Sequence, residues 1–98
     1  MKLKELVYFF EGYSIPYMRD MYPTNKLLWE EMKENEGKDI LQNILVEIEW
    51  ILSQDNTEKE QIMEYLNEVG IMGPIHFDKV NEMILFLTEM KIGLTLKK

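Results

Sequence analysis

Asp39-Ile40-Leu41-Gln42-Asn43-Ile44-Leu45-Val46-Glu47-Ile48-Glu49-Trp50-Ile51-Leu52 is the stretch whose reading decides the fold of this chain. At 100° per residue, Ile40, Leu41, Ile44, Leu45, Ile48, Ile51 and Leu52 fall within an arc of roughly 140°, the stripe that a helix turns toward a core. Val46 and Trp50 lie on the far side, four residues apart. A helix with one broad stripe and part of a second packs on neighbours from more than one direction, so 39–52 reads as the central helix of a bundle. The alternative leaves Val46 and Trp50 exposed as a binding patch.

Four more helices are expected around it. Residues 2–11 carry Leu3, Leu6, Val7 and Phe10 on one face, with Gly12 as a C-terminal stop. Residues 12–23 hold Pro16, Pro23 and the tyrosines Tyr13, Tyr17 and Tyr22, and read as an irregular connection. Thr24 or Asn25 caps a helix to about Asn35, with Leu27, Leu28 and Met32 inward and Trp29 and Glu30 pointing elsewhere. The break at Glu36-Gly37 is short, which makes this helix and the central one neighbours. Thr57-x-x-Glu60 has the form of a capping box for a helix 58–69 carrying Ile62, Tyr65, Leu66 and Val69. After a glycine-containing loop, Asp78 caps a last helix with Val80, Met83, Ile84, Leu87 and Met90 inward, which Gly93 stops. A short basic tail, 94–98, frays. The expectation is a single all-α domain over 1–98, a compact bundle of about five helices, and no strand.

With 98 residues, 46% of them hydrophobic, the chain can bury one core without a disulfide or metal staple. The absence of cysteine removes thiol nucleophiles and Cys-based zinc sites. No basic-then-apolar segment opens the chain and no apolar run reaches membrane-spanning length, so a cytoplasmic location and no membrane partner are expected. The net charge of −7 is uneven: residues 27–68 hold 12 acids and 3 bases, net −9, and the rest is +2. Such a surface repels nucleic-acid phosphates and attracts a basic partner.

Catalytic chemistry is poorly represented. His76 is the only histidine, and only Asp78 stands near it as a second ligand. Ser14 and Ser53 lie in no nucleophile motif, and without a strand there is no phosphate loop. Glu31-x-x-Glu34 places two carboxylates on one helical face, as in all-α magnesium-dependent nucleotide hydrolases. The next helix offers only Asp39, Glu47 and Glu49, and Glu36-x-x-Asp39 spans the Gly37 break. No metal, cofactor or enzymatic activity is expected.

One ordered series of segments has a further reading. It comprises Tyr8-Phe9-Phe10-Glu11-Gly12-Tyr13, then Leu27-Leu28 after Pro23-Thr24, then Ile44 to Ser53, then Leu66-Asn67-Glu68-Val69-Gly70. The series resembles the small all-helical immunity proteins of bacterial contact-dependent growth inhibition systems. Gly12-Tyr13 stands where that family often has an acidic-aromatic pair, and Met83 to Leu87 where it usually has Trp-Leu. The resemblance implies an inhibitor, monomeric when free, that binds the toxic C-terminal domain of a cognate toxin, often a nuclease.

The charge pattern points the same way, because a nuclease needs a basic cleft that an acidic helical surface complements. The residues expected to contact the partner are Tyr17, Tyr22, Trp29, Glu30, Glu31, Glu34 and Asp39, with the row Glu60, Glu64, Glu68 as a rival surface. The main competing function is an acidic adaptor or regulatory module using the Trp29 or Trp50 surface; a carboxylate-metal nucleotide hydrolase is the more distant one.

Overall fold

The computed structural model describes residues 2–95. Among them are six α-helices and no strand: α1 (Lys4–Gly12), α2 (Met18–Met21), α3 (Asn25–Asn35), α4 (Lys38–Leu52), α5 (Asn56–Val69) and α6 (Val80–Leu94). The bundle measures 35 × 31 × 20 Å. Its thin dimension is two helix diameters, so the helices form two layers over one core. No helix of the described residues is long and apolar enough to cross a membrane.

The stretch 39–52 forms α4 as its periodicity requires. Leu41, Ile44, Ile48 and Ile51 are buried, and α4 contacts α1, α5 and α6. Of the two residues on its far side, Val46 is exposed and Trp50 is half-buried against the edge of the core. The core centres on Phe9, whose ring lies 5.0 Å from Phe10, 5.9 Å from Tyr13, 6.1 Å from Trp29 and 6.2 Å from Phe86.

Several expectations are corrected. The 12–23 connection contains α2, held by the fully buried Met18 between Pro16 and Pro23. Gly12 lies in the last turn of α1 without a positive φ, and Tyr13 is the C-cap. The short break at Glu36-Gly37 does not pack α3 on α4; both pack chiefly on α6. Asp55, not Thr57, caps α5, accepting from Glu58 N–H at 2.9 Å, because the helix starts two residues earlier than the Thr57 reading allows. Lys79, not Asp78, is the N-cap of α6; Glu82 reaches back to accept from both Asp78 and Lys79 N–H groups. Helix α6 also runs through Gly93 and ends at Leu94, so the expected tail begins one residue inside it, and 96–98 lie outside the described residues.

Gly93 serves close approach instead. A Cβ there would overlap the Trp29 ring, so the small residue lets α3 and α6 meet. Gly73 does the same in the α5–α6 connection, where a Cβ would overlap the backbone and hydroxyl of Ser14. That connection is strapped down over its length. Ile75 and Phe77 are buried, and the Asn67 side chain accepts from Phe77 N–H at 2.9 Å and donates to its carbonyl at 2.8 Å.

Two acids act as structural pins. Glu47 is only 6% exposed. Its two oxygens accept from the backbone N–H groups of Glu5, at 3.0 Å, and Leu6, at 2.9 Å. It therefore caps α1, whose own N-cap residue Leu3 supplies no side-chain acceptor. Burial raises the Glu47 carboxyl above its ordinary value, and nearby Glu5 adds to this, while the two N–H bonds oppose it. Glu36 Oε2 accepts from the Tyr8 hydroxyl at 3.1 Å and the Tyr13 hydroxyl at 2.5 Å, tying α1 to the α3–α4 link. The hydrogen bond to this carboxylate raises the Tyr8 phenol; burial, then the same bond, raises Tyr13.

Candidate functional site: an acidic notch between α2 and α3

Thr24 fixes the start of α3 by accepting from Leu27 N–H at 3.3 Å. This sets the rotation of every later residue on the helix. Leu28, Trp29 and Met32 then face the core, and Glu30, Glu31 and Glu34 face outward together. The three carboxylates rim a shallow concavity of about 230 Å³ whose floor and wall are Met21, Tyr22 and Leu27. Met21 and Leu27 are 52% and 47% exposed, so the notch has an apolar floor open to solvent. No lysine or arginine lines it, and among the described residues none of its three acids has an ion-pair partner.

Of the seven residues expected to bind a partner, the fold brings four into this notch: Tyr22, Glu30, Glu31 and Glu34. Tyr17 is exposed on the turn before α2 but does not line it. Asp39 is exposed in the first turn of α4 and lines a separate concavity with Leu41, Leu45 and Leu94. Trp29 is corrected outright. It is 5% exposed, with its ring 5.5 Å from Phe86, and is a core residue, so it offers no surface anchor to a partner or an adaptor function.

Leu27 is the reverse case, expected inside and found on the notch floor. Its position three and four residues before Glu30 and Glu31 places it on their face, and that spacing is a signal present in the sequence. Met21 carries no such signal, since its place depends on α2.

The rival surface also exists as a concavity. Glu60 and Glu64 line a crevice of about 480 Å³ with Asp78, Met63 and Val80, and Glu68 lies outside it. Lys79 lines that crevice too, whereas the α2–α3 notch holds no cation. The Glu31/Glu34 pair acquires no further ligands: among the described residues no three of His, Asp and Glu converge as a metal site would require. His76 forms one exposed contact, Nε2 to Asp78 Oδ1 at 3.2 Å. Comparison with protein-family models, with curated proteins and with solved structures finds no match.

Proposed function

We propose that this chain is an immunity-type inhibitor that binds a basic toxin domain, of nuclease class, and that the α2–α3 notch is its contact surface. One observation carries the reading: three acids without ion-pair partners surround an exposed apolar floor, in a concavity that no cation lines. A nuclease cleft is basic because it must hold phosphates. The carboxylates complement that charge and speed the encounter, while Met21, Leu27 and Tyr22 supply the desolvated contact that slows dissociation. Inhibition of this kind needs no catalytic group. It fits the resemblance to contact-dependent growth inhibition immunity proteins and a cytoplasmic site of action.

The test is co-purification with the product of the gene immediately upstream, followed by surface plasmon resonance at two salt concentrations. Glu30→Lys/Glu34→Lys is expected to slow association by about tenfold or more and to flatten its salt dependence, with the melting curve unchanged. Failure to form any complex sinks the toxin assignment. A complex indifferent to these reversals but lost on Glu60→Lys/Glu64→Lys moves the surface to the α5–α6 crevice.

A further inference from the structure

The size of the notch between α2 and α3 and the order of its lining narrow what it grips. Its volume of about 230 Å³ lies below the roughly 300–1,000 Å³ of sites that take small molecules whole. It has room for one side chain of a partner. On the α3 wheel, Leu27 lies between Glu31, about 40° to one side, and Glu34, about 20° to the other. The two glutamates stand about 6 Å and about 10 Å further along the helix. Met21, delivered by α2, adds to the apolar strip. A side chain entering over Leu27 therefore meets hydrocarbon first and carboxylates one to two turns later.

The three carboxylates differ in their surroundings. Glu30 also lines the neighbouring hollow that holds Lys26 and Lys33, so part of its charge is balanced there. Glu31 and Glu34 do not line that hollow, and among the described residues neither has an ion-pair partner. Glu31 is half-buried, and a carboxylate partly withdrawn from water gains more from a cation than an exposed one does. Like charges three residues apart on a helix repel, and a cation between them relieves that repulsion. Among the described residues no third acid joins the pair in a metal-ligating group.

We propose that the notch seats one arginine of the partner protein. The arginine stem lies along Leu27 and Met21, and its guanidinium reaches Glu31 and Glu34 beside the wall that Tyr22 forms. This rests on the reading of the notch as a contact surface and names what that surface grips. Lysine is the poorer occupant. Its ammonium is a compact, strongly hydrated point charge, whereas the planar guanidinium presents five N–H donors that serve two carboxylates on successive turns at once. An apolar side chain in the same place would cover the half-buried Glu31 carboxylate without giving it a partner, which is costly.

The probe is N-acetyl-arginine amide, with N-acetyl-lysine amide and guanidinium chloride for comparison, titrated into the full chain at low salt. The methyl resonances of Met21 and Leu27 in carbon–proton correlation spectra report on the notch. The arginine amide is expected to shift both saturably and to bind about threefold or more tightly than the lysine amide. The same margin is expected over guanidinium, which has the charge and no stem. Glu31→Gln/Glu34→Gln should weaken the arginine amide about tenfold, and Glu60→Gln/Glu64→Gln should leave it unchanged; circular dichroism confirms that each variant is folded. The proposal is overturned if the arginine amide moves neither methyl, if the lysine amide binds as tightly, or if Glu31→Gln/Glu34→Gln binds as the parent does. The titration needs no partner protein, so its failure differs from that of the toxin reading. A complex with the upstream gene product beside a silent titration removes the arginine and keeps the contact surface. A saturable titration without any complex keeps the arginine and removes the toxin.

Discussion

Replacing Glu47 with alanine removes a two-pronged cap from inside the bundle. The Glu5 and Leu6 N–H groups that it satisfies are at the first turn of α1, where no backbone acceptor exists, and Leu3 offers no side chain in its place. Both residues are buried, so water does not readily replace the lost acceptors. An unsatisfied buried donor costs about 1–3 kcal/mol, and loss of a helix cap about 0.5–2 kcal/mol. Against this, alanine relieves the desolvation that raises the Glu47 carboxyl. The net expectation is a loss of about 2–3 kcal/mol for Glu47→Ala in urea denaturation, and about half that for Glu47→Gln, which keeps one acceptor oxygen.

The pH dependence separates this account from simple loss of packing. A carboxyl raised in the folded state binds its proton more readily there than in the unfolded chain. Its contribution to stability is therefore greater below the ordinary glutamate value of 4.5 and declines as pH rises through the interval above it. Glutamine does not titrate, so the advantage of the parent over Glu47→Gln should shrink as pH rises from about 4 to 7. An advantage that grows over this range would refute the argument that burial outweighs the two N–H bonds. A loss below about 0.5 kcal/mol for Glu47→Ala would refute the capping role itself.

The remaining predictions concern the core and the helix starts. Ile48→Ala should lose about 2–5 kcal/mol in denaturant melts, since Ile48 is fully buried on the face that α4 turns inward; a loss under 1 kcal/mol would place it outside the core. Gly93→Ala should lose about 1–3 kcal/mol despite the better helix propensity of alanine, because its methyl group meets Trp29, and a stabilised variant would show that α3 and α6 have room to part. Asp55→Ala should lose about 1 kcal/mol and Thr57→Ala far less; the opposite order would restore Thr57 as the cap.

The long helices were legible because each carries an apolar repeat that no other element satisfies as well. What escaped had physical reasons, and some of them could have been read. Glu47 falls about 20° from Ile40 and about 40° from Ile51 on the α4 wheel, at the edge of the stripe, so its position indicated burial although its charge suggested the surface. Trp29 lies between Leu28 and Met32 and the far edge of the same face of α3, where Leu27 does not. The choice between Asp55 and Thr57 was not decidable locally. Each is followed three residues later by a glutamate, and both match the signature of a helix start. Gly93 has the form of a stop, and only the Trp29 ring opposite it explains why the helix continues.

For the notch, the same distinction sorts charge from floor. The wheel of α3 orders its surface: Lys26 and Lys33 at one edge, Glu30 and Glu34 next, then Leu27 and Glu31, before the core residues begin. The acidic face follows from spacing alone once Thr24 is recognised as the cap. The apolar floor follows only in part: Leu27 shares that face, but Met21 and Tyr22 are delivered by α2, a four-residue helix too short to show a period. The anchor of α2 is Met18, buried from a segment bounded by two prolines. A surface whose charge comes from one element and whose apolar contact comes partly from another exists only after folding. Its binding strength therefore depends on how firmly Met18 holds α2 against the core, as well as on the carboxylates that announce it.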